Sequence, residues 1–428
     1  MAITGMGLIT PLGRGVAANW AEVATGRTGL RLEADDGRPL FMRCLGRVVA
    51  ADPPGDLPPR LAKEAKFVNR GGILGLIAAA EAVAQANLPA SVAPADRGLV
   101  LATGDLSRVG YEYFYPATRL ATGGTFRTLD CEKLNRATMD LVSPFILLES
   151  LANNPYSLLT AALGFMGPGT CLAGHSPSGS HALELAFRTV RHGRARAALA
   201  VGCGSWLAPI PLLELAGLGV LSKCRRGVTS YRPFDRQRDG FIAGEGGAAL
   251  LLEAPEEARR RGARVLAMVE GTGNRAEVAG DLRVGAKVTL GAMRAALGEA
   301  GVAASELGFL CPHGSGTRRG DRAERSSLAT LLGAAAAAVP VCALKPFTGH
   351  MGAASDLAEV ILGVMAAAHG VVPATLNFSA GDAGREALRI AAHPQPCPRP
   401  RFLSASYGAA GQASAVVVAA ELGERRDG

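Results

Sequence analysis

The sequence predicts an α/β protein with buried strands, laid out as two successive halves of similar element order. Three observations carry this. Short aliphatic and β-branched runs alternate with longer Ala-rich runs. The short runs are apolar almost throughout, as strands covered on both faces are. The same alternation then recurs beyond a seam near residues 250–260.

The elements follow in order. AITGMGLITP (2–11) opens as a strand, apolar residues at helical spacing predict a helix over 67–88, and RGLVLATGD (97–105) is the second strand. Residues 106–160 interrupt the pattern with a polar, aromatic, Pro-containing stretch that has no counterpart later, expected to be a cap or an interface. A helix over 181–193, with Leu183, Leu185, Ala186 and Val190 among its apolar positions, precedes the strands AALAVGCG (197–204) and GGAALLLEA (246–254). The second half runs VLAMVEGTG (265–273), a helix over 288–301, LGFLCPHGSG (307–316), a helix over 322–333, VPVCAL (339–344), a helix over 354–370 and ASAVVVAAEL (413–422). No Ser-, Gly- or Pro-rich linker separates the halves, so 1–255 and 256–428 are expected to form one compact unit.

Composition narrows the function classes. A chain of 428 residues with 48% hydrophobic content can bury a full core without disulfides or metals. The eight cysteines, including Cys171, stand singly with no CxxC pair, and are read as small buried hydrophobes with no metal site. The opening MAITGMG lacks a secretory signature and no apolar run reaches membrane-spanning length, giving the expectation of a soluble, cytoplasmic protein with no membrane partner. A net charge of +8 suits an acidic partner; with 5% aromatics and no long Lys/Arg block, nucleic acid is not expected.

Three segments carry candidate chemistry. GPGTCLAGHSPSGSHALELAFRTVRHG sets Ser176 at the start of an amphipathic helix, where backbone N–H groups favour an anionic nucleophile or a developing oxyanion. The local sequence equally allows Ser176 or Ser178 to be a helix N-cap. FLCPHGSGTRRGDRAE ends a strand at His313 and continues through Ser315 and Thr317 into a helix bearing Asp321 and Glu324. CALKPFTGHMGAASDLAEV repeats the arrangement with Lys345, a turn and His350. A single histidine is usually structural; two at matching strand-to-turn junctions, with a lysine five residues before the second, mark a site. His175, His181, His192, His369 and His393 lack that setting, although His175 adjoins Ser176.

These segments, together with ITGMGLITPLG, LVSPFILLESLANNPYSLLTAALGFMGPGT and SYRPFDRQRDGFIAGEGGAALLLE, resemble the β-ketoacyl-[acyl carrier protein] synthases of fatty-acid and polyketide synthesis nearly end to end. The resemblance implies a thiolase-like fold, two duplicated α/β halves in a five-layered αβαβα arrangement. It implies a dimer, with a second copy or with another ketosynthase subunit, along the edge strands of the first half. It also implies a tunnel for the phosphopantetheine arm of an acyl carrier protein, taken as substrate with no bound cofactor. By position, His313 and His350 become the catalytic histidines, Lys345 their supporting lysine, and Ser315 and Thr317 contacts to the pantetheine. Lys63, Lys66, Arg70, Lys223, Arg225 and Arg226 fall in regions similar to the carrier-docking surfaces.

The departures are informative. The family's nucleophilic cysteine falls eight residues after Pro168, where this chain has Ser176. SYGAAGQ stands at the glycine-rich turn, so Ala409 replaces a gating phenylalanine, and its N–H is expected to join that of Ser176 in an oxyanion hole. Serine is a weak nucleophile that needs an adjacent base, which the resemblance offers as His313 or His350. The expected activity is acyl transfer from a carrier-protein thioester onto Ser176. The alternatives are decarboxylation of a malonyl thioester by the histidine pair, or a non-catalytic partner subunit similar to the chain-length factors.

Overall fold

The computed structural model describes residues 1–55, 57–104, 110–277, 285–382, 388–408 and 410–421. The first half contributes strands β1 (Ala2–Thr10), β2 (Arg97–Thr103), β3 (Gly169–Ala173), β4 (Ala197–Ser205) and β5 (Glu245–Glu253). The second contributes β6 (Ala267–Ala276), β7 (Phe309–Cys311), β8 (Pro340–Val341), β9 (Arg389–Ile390), β10 (Arg401–Tyr407) and β11 (Gln412–Ala420). The principal helices are α1 (Arg70–Ala86), α2 (Ser178–Arg191), α3 (Ala286–Ala300), α4 (Arg318–Leu332) and α5 (Ala353–Ala368).

The strand order is β3-β2-β4-β5-β1 in one half and β8-β7-β10-β11-β6 in the other, with β9 added outside β8. Numbered along the chain within each half, and leaving out the short β9, both orders read 3-2-4-5-1. The strand senses match too: 2 pairs in parallel with 3 and 4, while 4–5 and 5–1 are antiparallel. Helices α1 and α3 occupy equivalent places, as do α2 and α5. This is the duplication that the resemblance implied. The halves meet where Ala2 and Ile3 of β1 pair with Met268 and Ala267 of β6.

Five layers follow from where each apolar face is buried. α1 packs Leu74 and Ile77 on Leu199 and Leu251 at one outer face, and α3 and α4 pack Met293 and Leu328 on Leu403 and Val417 at the other. α2 and α5 lie in the centre, with Leu183 and Phe187, Leu357 and Ile361 sharing one core with Val100 and Leu250 of the first half and Phe309 and Val416 of the second. Of the two, α5 is buried on nearly every side and is apolar nearly all round, whereas α2 stays amphipathic with Arg188 and Arg191 exposed. The two central helices touch closely: a Cβ on Gly179 would lie 2.1 Å from the carbonyl oxygen of Ala353. Glycine is required there.

The described part of the interrupting stretch folds as helices Gly110–Ala121, Cys131–Leu141, Ile146–Ser150 and Asn154–Leu163, the last running three residues beyond it, and leaves Phe114, Tyr115, Leu120, Phe126 and Met139 exposed. Residues 106–109 lie outside the described residues. The neighbouring edge strand β3 is largely uncovered. Strands β3 and β10 were not foreseen: GTCLA is short and lies on an edge, and RFLSASY carries serines at positions the sheet buries. Among the described residues no helix is long and apolar enough to cross a membrane.

Candidate active site

The duplication brings three chain segments to one place. Strand β3 leads to Ser176 at the entrance of α2, β7 leads to His313, and the short helix Lys345–Thr348 leads to His350 just before α5. Ser176, His313 and His350 all line one cleft of about 1820 Å³, with Trp206, Tyr407, Ser315 and Thr317 among its other walls. Ser176 is buried, with 5% of its surface accessible.

The serine hydroxyl has a partner that the sequence reading did not name. Ser176 Oγ donates to Asp356 Oδ1 at 2.8 Å and approaches the carbonyl oxygen of Gly352 at 3.2 Å. Asp356 is buried one turn into α5, and its Oδ2 accepts from the Gly179 N–H at 3.0 Å. Burial pushes this carboxyl up to about 6, against the opposing pull of Lys345 and of its donors. Histidine was expected beside Ser176 as its base; the contact is a carboxylate instead, because the crossing at Gly179 sets α5 against the start of α2. Neither Ser176 nor Ser178 caps α2. Pro177 occupies the N-cap position without a side-chain bond, and Ser178 Oγ donates to Gly174 O at 3.0 Å.

The histidines form an edge-to-face pair with ring centroids 5.2 Å apart. His350 is stacked on Trp206 at 4.7 Å and flanked by Phe241 at 4.8 Å. The Gly352 N–H donates to His350 Nδ1 at 3.1 Å, so the neutral ring carries its proton on Nε2 and presents a donor. His313 lies 4.2 Å from the Tyr407 ring, and its buried Nδ1 has no hydrogen-bond partner among the described residues. Burial, then the Lys345 charge, holds both imidazoles well below their usual range; each also feels a second histidine, His350 for His313 and His175 for His350. Both rings are therefore neutral near pH 7.

Buried charges fix this pair. Lys345 Nζ donates to both oxygens of Glu359, each at 2.9 Å, and to the His313 carbonyl at 2.8 Å. Glu324 accepts from the backbone N–H groups of His313 at 2.7 Å and Gly314 at 2.9 Å. Burial pushes Glu324 up to about 8 and Glu359 up to about 7. Lys345 thus acts on His313 through its backbone and through its charge.

The remaining expected residues are spread more widely. Ser315 Oγ shares a 2.8 Å hydrogen bond with Thr317 Oγ1, donates to Asp321 at 3.1 Å and accepts from Tyr407 at 3.0 Å; Thr317 also caps α4 by accepting from Gly320 N at 3.1 Å. Lys223, Arg225 and Arg226 line the cleft, joined by Arg236, Arg318, Arg319 and Arg322. Lys63 and Lys66 are exposed but not part of that wall. Arg70 turns inward and donates to the buried Glu245 at 2.7 Å through both Nε and Nη2. Ala409 lies outside the described residues. Its neighbour Gly408 closes over the serine, since a Cβ there would sit 2.3 Å from Ser176 O. Cys171 donates to Ala152 O at 3.2 Å, and burial pushes its thiol up to about 11, so it is no nucleophile. His175 lies at the cleft wall, edge-on to Trp206 at 4.9 Å.

Sequence reasoning missed Asp356 and Glu359. A signal was present: they are the only charged residues in AASDLAEVILGVMAAA, three positions apart and hence on one face. Buried charges in an apolar helix are either paired or functional.

Comparison with known proteins agrees with this architecture. Residues 1–258 match the Beta-ketoacyl synthase N-terminal domain and residues 266–379 its C-terminal domain. The ketoacyl synthase alpha subunit of the tetracenomycin polyketide synthase from Streptomyces glaucescens is 32% identical over 391 residues, covering 89% of this chain and 88% of that protein. The 3-oxoacyl-[acyl-carrier-protein] synthase 2 of Vibrio cholerae is 28% identical over 390 residues, 90% of each chain. The solved ishigamide ketosynthase/chain length factor superposes with a TM-score of 0.82 at 24% identity and 98% coverage of both chains, a likeness of fold. With both domains matched in order and the relatives aligned along most of their length, the chain belongs to the β-ketoacyl synthase family.

Proposed function

We propose that this protein is an acyltransferase that takes an acyl group from an acyl carrier protein thioester onto Ser176, in polyketide or fatty-acid biosynthesis. The observation that carries the reading is the setting of Ser176: it is polarised by a buried carboxylate and lies on the wall of a large cleft that two neutral imidazoles also line. His350 Nε2–H is free to donate to the thioester oxygen as charge develops on it, and the unpartnered His313 Nδ1 provides a second polar contact. Donors preorganised in this way stabilise a tetrahedral intermediate. By the family resemblance, the backbone N–H groups of Ser176 and Ala409 are the proposed oxyanion hole.

Asp356 also argues against decarboxylation as the main activity. A buried carboxylate 2.8 Å from Ser176 Oγ opposes a malonyl carboxylate and the enolate it leaves. The arginine-rich mouth suits the phosphate of a pantetheine arm and an acidic carrier, with Lys223, Arg225, Arg226 and the arginines opening α4 as docking positions. Ser315 and Thr317 are proposed to line the path of the arm. The uncovered β3 edge and the exposed Phe114, Tyr115, Leu120, Phe126 and Met139 support pairing with a second copy or with another ketosynthase subunit.

The test is intact mass after incubation with acyl carrier protein bearing an acyl thioester. An adduct of the acyl mass, mapped to Ser176 and absent in Ser176→Ala, supports the reading. Carbon dioxide release from malonyl carrier protein that persists in Ser176→Ala would replace it with decarboxylation.

A further inference from the structure

We propose that Asp356 is the catalytic base of Ser176: a carboxylate on α5 that takes the hydroxyl proton as Oγ attacks, in the role expected of a histidine. The assignment rests on the acyltransferase reading for its substrate, but its geometry is independent of it. Ser176 Oγ is within hydrogen-bond distance of Asp356 Oδ1 and Gly352 O, at 2.8 and 3.2 Å, with a single proton to give. A hydroxyl between two acceptors has its lone pairs available to an electrophile entering the cleft. Neither imidazole is bonded to the serine among the described residues: His350 Nδ1 accepts from Gly352, leaving only a donor, and His313, held through its backbone by Lys345 and Glu324, keeps an unpartnered Nδ1 while Ser176 Oγ is engaged by Asp356 and Gly352.

The step balances. Oγ bonds the thioester carbonyl carbon, its proton passes to Asp356 Oδ1, and the carbonyl electron pair moves onto oxygen. Collapse restores the carbonyl, breaks the C–S bond and releases a thiolate, which takes the proton back from Asp356. A thiol is ordinarily ionised only near pH ~8.5, so the thiolate is the stronger base and the return is downhill. The second oxygen of Asp356 stays fixed throughout by Gly179 N–H.

The groups facing Asp356 set its working range. Lys345 favours its charged form and Glu359, one turn on, disfavours it; Ser176 and Gly179 donate to it, and Ser406 Oγ, outside hydrogen-bond geometry, also faces it. With burial dominating, the carboxyl is protonated below about 6 and becomes a competent base above it.

The experiment uses an alkyl fluorophosphonate, which phosphonylates an activated serine with loss of fluoride and requires neither carrier nor thioester. Wild-type protein should label at Ser176, with a rate that rises with pH and levels off above about 6. Asp356→Asn keeps the side-chain shape and an acceptor oxygen; its labelling should fall by about 100-fold or more and lose the pH dependence. A thermal melt establishes that the variant is folded. Labelling by Asp356→Asn at the wild-type rate, or a hundredfold loss confined to His313→Gln, overturns the assignment, as does a folded wild type that fails to label. Labelling without acylation by carrier thioesters leaves Asp356 as the base and rejects the acyltransferase reading.

Discussion

Restoring the family's cysteine should not by itself restore a reactive thiolate. In Ser176→Cys the sulfur would sit beside Asp356, whose oxygen is 2.8 Å from the native Oγ. Taking ~3.3 Å for the longer sulfur contact and an effective dielectric constant of ~20, the repulsion between thiolate and carboxylate is about 5 kcal/mol. That lowers the thiolate population by about 3.7 orders of magnitude relative to the same cysteine beside a neutral residue. The helix N-terminus of α2 recovers up to ~2 kcal/mol in either case and cancels from the comparison. A less acidic thiol is a better nucleophile once ionised, so the net difference in alkylation rate shrinks to about 70- to 160-fold. The assay is alkylation of the introduced thiol by iodoacetamide at pH 7.5, followed by peptide mass, in Ser176→Cys and in Ser176→Cys with Asp356→Asn. The double variant should react about 70- to 160-fold faster. Equal rates would mean that Asp356 carries no charge at the nucleophile, contrary to its contact with Ser176 Oγ.

Other predictions concern the scaffold. Lys345→Met leaves Glu359 and the His313 carbonyl buried without their cation and should cost about 3–5 kcal/mol, seen as a lower denaturant midpoint; adding Glu359→Met should recover most of the loss. Gly179→Ala would gain helix propensity on an exposed helix, but here its Cβ meets Ala353 O at 2.1 Å. It should therefore lower the melting temperature and slow fluorophosphonate labelling together, by parting α2 from α5; a stabilised or unaffected protein would count against the crossing described.

Much of the fold was legible because buried strands and amphipathic helices leave periodic traces. The 2–11 run became β1, the 67–88 helix became α1 with its Asn69 cap, and the internal repeat reappeared as matching strand orders. Strand β10 was hidden because its inward serines, Ser404 and Ser406, break the apolar run although the sheet buries them. At the site, His313, His350, Lys345 and Ser176 could be read from local motifs, since each ends a strand or starts a helix. Asp356 could not be assigned in that way. Its role depends on a contact spanning 180 residues, made possible by a glycine that permits two central helices to touch. Arg70 fails in the opposite direction: as a basic residue before a helix it looks like surface, yet its partner Glu245 lies 175 residues away in the core. Local sequence reports the residue type and its element, whereas the partner is set by topology.

The most direct measurement is the mass of the protein after exposure to an acylated carrier protein under single-turnover conditions. A stoichiometric acyl ester on Ser176 is expected, formed faster above pH ~6 than below it and absent in Ser176→Ala. No ester under saturating carrier, from a protein whose cleft still binds that carrier, would contradict it.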